Sequence, residues 1–140
     1  MNQTFNKILQ KFILCGILII IMNFNGCTKA PINGNLDGEW EVMDVVPSPP
    51  SWDHETRFFM SFYMHVCQLT IYGYPFTQGN MRYDDNTISL DFPFIKTPEE
   101  QLQLMQYGIY SNPVTFNVEF HGKYKMTLYN DESTITLRKF

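Results

Sequence analysis

Beyond residue 37, hydrophobic and polar residues alternate with the two-residue period of a β-strand along most of the chain. Gly38 to Val46 is predicted as a first strand, with Trp40 and Val42 on one face and Glu39, Glu41 and Met43 on the other. Asn80–Asp84 and Thr87–Phe92 are predicted as a hairpin about Asp85-Asn86, its second arm setting Ile88, Leu90 and Phe92 against Thr87, Ser89 and Asp91. Three further strands close the chain. Val114–Phe120 turns Val114, Phe116, Val118 and Phe120 inward; Lys123–Tyr129 turns Tyr124, Met126 and Leu128 inward; Ser133–Lys139 turns Ile135 and Leu137 inward. His121-Gly122 and Asn130–Glu132 are the turns between them. Arg57–Tyr72 has neither Gly nor Pro and is rich in aromatic and branched residues. It reads as one long bent strand or as two strands meeting at a bulge, with a helix as the alternative because Phe58, Phe59, Phe62 and Val66 fall on a helical stripe.

One stretch breaks the strand period. Thr97-Pro98-Glu99-Glu100 carries a capping residue, a proline suited to the first helical position and a glutamate that completes a capping box. A short helix is therefore predicted from residue 98 to about 107, stopped by Gly108, with Leu102, Met105 and Ile109 facing the body. Pro47-Ser48-Pro49-Pro50 opens a loop through His54, because proline cannot donate to a sheet ladder. Short strands with one apolar face, joined by tight turns, indicate an all-β antiparallel meander; closing it into a small barrel removes its edges.

The first part of the chain has a different pattern. Lys7 and Lys11 precede an uncharged apolar run, Phe12–Met22, which is shorter than the roughly 20 residues of a membrane span. Gly26 then precedes Cys27. This layout resembles the bacterial lipoprotein signal, in which cleavage before the cysteine is followed by its acylation; Phe24 and Asn25 stand where that family usually carries leucine and a small or branched residue. The resemblance implies a signal peptide over 1–26, a lipidated Cys27, a tether over 27–36 and a barrel domain over 37–140. It implies a membrane attachment through Cys27 in the bacterial cell envelope. Thr28, Lys29 and Ala30, with no acidic residue, resemble the sorting pattern of lipoproteins delivered to the outer membrane facing the periplasm, and the resemblance implies that location.

Of the 10 basic residues, Lys7 and Lys11 leave with the signal, so 8 face 14 acidic ones and the net charge is −6, which argues against nucleic acid as a partner. Cys15 leaves with the signal and Cys27 is occupied by lipid, so Cys67 has no partner for an intrachain disulfide. The remaining part holds all 8 Tyr and both Trp of the chain, an enrichment that fits sheets and lined cavities.

Leu36-Asp37-Gly38-Glu39-Trp40 looks like the first strand of lipocalins, which open their barrel with Gly-x-Trp. In lipocalins a basic residue of the last strand packs over that Trp, a role the resemblance gives to Arg138 over Trp40 beside Gly38. Residues 27–140 as a whole resemble the lipocalin-like lipoproteins of Bacteroidales. The likeness is carried by the Cys27 signal, the L-D-G-x-W opening, the N-M-R-Y-D and L-D-F-P segments, the T-P-E-E helix, the N-P-V-T-F strand and the terminal T-L-R-K-F. The helix here precedes the last three strands, whereas lipocalins place theirs after the final barrel strand.

Candidate chemistry is sparse. His65 and Cys67, two apart, would share a strand face, but no third group orients them and Cys67 reads as a small buried apolar residue. Asp53-His54-Glu55 points in three directions and suits a solvated loop better than a metal site; Asp84-Asp85-Asn86 is turn chemistry. Phe59, Tyr63, Tyr72, Tyr74, Phe76 and Tyr83 are the candidate lining of a cavity mouth for a small apolar or amphipathic ligand. The expected function is a non-enzymatic, cofactor-free and metal-free lipid-anchored barrel that binds such a ligand. The alternative is a filled barrel that acts as an interaction module for an envelope protein.

Overall fold

The computed structural model describes residues 31–50 and 52–140; the predicted signal, the Cys27 lipidation site and tether residues 27–30 lie outside the described residues. Eight strands follow one another: β1 (Gly38–Val46), β2 (Phe58–Tyr63), β3 (Val66–Ile71), β4 (Tyr74–Asp84), β5 (Thr87–Asp91), β6 (Val114–Phe120), β7 (Lys125–Tyr129) and β8 (Thr134–Lys139). Each pairs with the next, and β8 returns to β1, so the sheet closes into a barrel. All the pairings are antiparallel. The all-β meander barrel with one short helix expected above is the fold found.

An up-and-down barrel puts alternate connections at opposite ends. The base carries the entry to β1, the turns β2–β3, β4–β5 and β6–β7, and the end of β8. The crown carries the loop from Pro47 to Arg57, the β3–β4 turn, the long β5–β6 connection and the β7–β8 turn.

The strand period decides which side chains fill the interior. Trp40, Met60, Phe62, Leu69, Ile88, Leu90, Phe116, Met126, Leu128, Ile135 and Leu137 are all buried. Two bulges reset that period. Val42 pairs with Leu137 and Asp44 with Thr136, leaving Met43 as the extra residue; Val45 is then buried and Asp44 exposed. Leu69 pairs with Thr77 and Thr70 with Pro75, leaving Phe76 extra and packed against the core.

Four expectations change. Arg57–Tyr72 is two strands, β2 and β3, but they meet at a reversing turn, Met64-His65, and not at a bulge; it is neither one bent strand nor a helix. Met64 takes a left-handed φ of 54°, so a tight turn forms without glycine, proline, Asn or Asp. Tyr124 lies before β7 and is exposed, with only Met126 and Leu128 inward. In the helix, Leu104 rather than Leu102 is buried, joined by Tyr107 and Ile109 just beyond. The predicted tether is in part structural: Gly34–Leu36 forms a 3-10 turn whose Leu36 is fully buried at the base.

Helix α1 (Pro98–Met105) is built as its sequence requires. Thr97 Oγ1 accepts from the Glu100 N–H at 3.2 Å, and the Glu100 carboxylate accepts from the N–H groups of Thr97 and Lys96 at 3.0 and 2.8 Å. At its other end the Gly108 N–H bonds to Met105 O and the Ile109 N–H to Leu104 O, with Gly108 at φ 78°. That pair of bonds is the Schellman ending, which calls for a glycine in the left-handed region.

Candidate functional site

The six aromatics read as one cavity lining are distributed over three places. Phe59 and Tyr63 alternate with Phe58, Met60 and Phe62 along β2 and so lie on the outer wall. Tyr72 and Tyr74 flank the β3–β4 turn at the crown and are exposed. Phe76 packs inward at the crown, whereas Tyr83 sits at the base, where its hydroxyl donates to Asn86 Oδ1 at 3.1 Å. The cavity-mouth grouping is thus corrected: a meander sends neighbouring turns to opposite ends, so residues close in sequence separate in space.

What occupies the crown is the β5–β6 connection. Tyr107 enters the barrel end, fully buried; its ring stacks on Phe76 at 6.2 Å and meets Phe58 edge-on at 5.2 Å, and its hydroxyl donates to the Thr70 carbonyl at 2.8 Å. Burial raises the Tyr107 phenol above its ordinary range, so it stays a neutral donor. Trp52, from the first crown loop, covers Phe58 at 5.7 Å. The two crown loops are tied together, since Gln106 Nε2 donates to Pro50 O at 2.8 Å and the Tyr110 hydroxyl to Pro47 O at 2.9 Å. The ends of the connection are clipped by Asn112, whose side-chain amide exchanges two 2.9 Å hydrogen bonds with the Phe92 backbone. Ser133 Oγ, from the β7–β8 turn, donates to Gly108 O at 2.6 Å.

The base is closed as well. Trp40 Nε1–H donates to the Leu36 carbonyl at 2.8 Å, which ties the 3-10 turn across the opening. Lys139 Nζ lies 5.1 Å from the Trp40 ring centroid and donates to Asn35 O at 3.2 Å. The basic residue over Trp40 is therefore Lys139, not Arg138. Strand parity explains the difference: Ile135 and Leu137 point inward, so residue 139 does too, while Arg138 points out.

Between these closures the interior is filled. Met60, Cys67, Leu69, Ile88, Phe116, Met126, Leu128, Ile135 and Leu137 show 0% exposure, leaving no surface that a water molecule touches from outside or from a void within. An eight-stranded barrel has just the width for side chains to fill it or for one small ligand, and here side chains take the space around these residues. The concavities seen among the described residues include shallow, solvent-open grooves of about 230 and 330 Å³ on the outer wall, which share Arg82 and Ser89.

On the opposite wall, Glu41 accepts from Arg57 Nε and from an Arg138 guanidinium nitrogen, each at 2.7 Å. The Arg57 bond, aided by Arg138, holds Glu41 below its ordinary carboxylate range although burial opposes this. Arg57 also lies over the rings of Phe59 and Phe140, 5.1 Å from each centroid. This is where Phe59 belongs: on the outer wall, covered by Arg57 and Phe140.

The remaining candidates stay apart. His65 is in the exposed turn and Cys67 is wholly buried, its thiol pushed up by burial. Asp53 caps its own turn, accepting from the Glu55 N–H and Thr56 Oγ1 at 2.9 Å, and His54 Nδ1 accepts from Trp52 Nε1. Among the described residues no three His, Cys, Asp or Glu side chains gather to hold a metal ion. Sequence reasoning missed Tyr107 as the crown plug; the signal for it was its place two residues beyond the end of a strongly capped helix.

Among solved structures, an uncharacterized protein from Bacteroides eggerthii aligns over 75% of this chain and 99% of its own, with a TM-score of 0.51 at 16% identity. A lipocalin-like protein from Bacteroides uniformis aligns over 76% of this chain and all of its own, with a TM-score of 0.48 at 20% identity. No curated protein matches the chain. Residues 20–140 match the family described as Lipocalin-like domain. With a closed eight-stranded meander, a Gly-x-Trp opening and a match spanning most of its length, the chain belongs to the lipocalin-like domain family.

Proposed function

We propose that this is a lipid-anchored protein of the bacterial cell envelope, non-enzymatic, that works through its outer surface as an interaction module for another envelope protein. The observation that carries this reading is the closed, packed barrel: among the described residues nine inward side chains have no exposed surface, and Leu36 and Tyr107 close the two ends. A barrel with no vacant calyx has its exterior to offer, and the crown presents Tyr72 and Tyr74 exposed beside the rigid cap formed by the two crown loops. Anchoring is supported by the charge, apolar run and Gly26-Cys27 of the first part of the chain.

Site-specific photo-crosslinking in the native envelope tests the reading. A crosslinker at Tyr74 should capture a defined protein, and one at Thr127 on the side wall should not. Crosslinks at Tyr74 to lipid alone, or none at all, would contradict it. A Cys27→Ser variant should leave the membrane fraction; retention there would contradict the lipid anchor.

The ligand-carrier reading is favoured by one feature, that Tyr107, which enters the barrel at the crown, comes from a connection tied down by side-chain hydrogen bonds. In that form the ligand is a small apolar ring that takes the place of the Tyr107 side chain.

A further inference from the structure

The two ends of the barrel differ in how they can meet a membrane. At the base, Ile32, Tyr63, Met64 and Tyr124 are all exposed, with Ile32 and Tyr124 at 62%. They belong to different segments but are tied to one another. Asn33 Nδ2 donates to Met64 O at 2.9 Å, and the Lys139 N–H to Tyr124 O at 2.8 Å. They form a rim around the point where the chain enters the barrel at Pro31.

We propose that this rim is a membrane-contact face, seated in the headgroup region of a bilayer. The inference rests on acylation of Cys27. From Cys27 to Pro31 the chain has four steps, which reach at most about 14 Å when fully extended. An interfacial layer is roughly 5–8 Å thick on each side of the hydrocarbon core. A tether this short holds the base at the bilayer surface. Strands of 5 to 11 residues put the crown roughly 17–36 Å of chain further away. Tyr72 and Tyr74 therefore point away from the membrane, free for a protein partner.

The chemistry of the rim fits lipid. Tyrosine rings with their hydroxyls, and methionine and isoleucine side chains, settle where one end is apolar and the other wet. Charge does not drive the contact: at this end Lys123, Lys125 and Lys139 are outnumbered by Asp37, Glu39, Asp84, Asp85 and Glu119. Contact should accordingly be no stronger on anionic than on zwitterionic lipid.

The test uses the full lipoprotein reconstituted into phosphatidylethanolamine vesicles, with and without phosphatidylglycerol. A fluorophore is placed at the base by His65→Cys and at the crown by Asp131→Cys; both positions are exposed, and Cys67 is buried. Headgroup-proximal nitroxide lipids should quench the base label at least about twofold more than the crown label, as burial of only 5–10 Å requires. The combined Tyr63→Ser and Tyr124→Ser variant should keep floating with the vesicles and show a clearly smaller difference, because the tether alone keeps the base near the surface but no longer seated in it. Floating protein with equal quenching at both positions would overturn the contact face while leaving the anchor intact. Protein that does not float with vesicles would overturn the anchor, and the contact face with it.

Discussion

Glu41 points out of the barrel wall yet is only 7% exposed, because Arg57 and Arg138 close over it. A carboxylate whose folded-state value lies below its ordinary 4.5 stabilises the fold above that pH, and loses the contribution as pH falls through the folded value. Glu41→Gln keeps the shape and removes the charge. At neutral pH it should cost about 1–2 kcal/mol, the worth of charge-assisted hydrogen bonds less what the amide retains. Thermal melts of the two proteins should converge as pH drops below about 4; a gap that persists unchanged there would show that the ion pairs contribute nothing. Tyr107 offers a second test. Tyr107→Phe removes only the bond to Thr70 O and should cost about 1 kcal/mol by chemical denaturation. Tyr107→Ala empties the crown, should cost about 3–5 kcal/mol, and should create a site for a small apolar probe that the wild type does not bind.

At the scale of elements, α1 depends on its two ends. Thr97→Ala removes half of the capping box and should lower stability by about 1 kcal/mol, seen as a lower melting temperature. Gly108→Ala should be worse. Its φ of 78° disfavours a side chain, and an added Cβ would stand 2.6 Å from an Ile135 carbon and 3.0 Å from one of Val45. A loss above about 2 kcal/mol is expected, and a neutral result would contradict the tight seat of the connection on the barrel. These same elements show what the sequence carries plainly. The helix announced itself through Thr97-Pro98-Glu99-Glu100, and β5, β6 and β8 through clean alternation, because local chemistry decides both. The β2–β3 hairpin was hidden, because Met64 turns the chain with no customary turn residue. Phe76 points inward only because a bulge, which leaves no local trace, shifts the register at Thr70.

For the whole molecule, the antiparallel meander was legible from the turns and the period, though not its strand count, since β2 and β3 read as one segment, and closure followed from the need to pair edges. The proposed ligand lining was not legible. Phe59, Tyr63, Tyr72, Tyr74, Phe76 and Tyr83 cluster in sequence, but β2 parity puts the first two outside, and successive turns put Tyr72 and Tyr83 at opposite ends. Whether a barrel is hollow depends on how far each inward side chain reaches across it, which pairing of neighbours does not reveal. Tyr107 comes from outside the strands altogether and occupies the end where a calyx would open.

The filled interior is the central claim, and native mass spectrometry of the full protein extracted from its membrane tests it most directly. The account predicts the mass of the processed, acylated chain alone, with no small molecule in an organic extract of the same sample. A stoichiometric small molecule that is bound by the wild type and remains bound after its anchor is removed by Cys27→Ser would contradict it, and would move the function back inside the barrel.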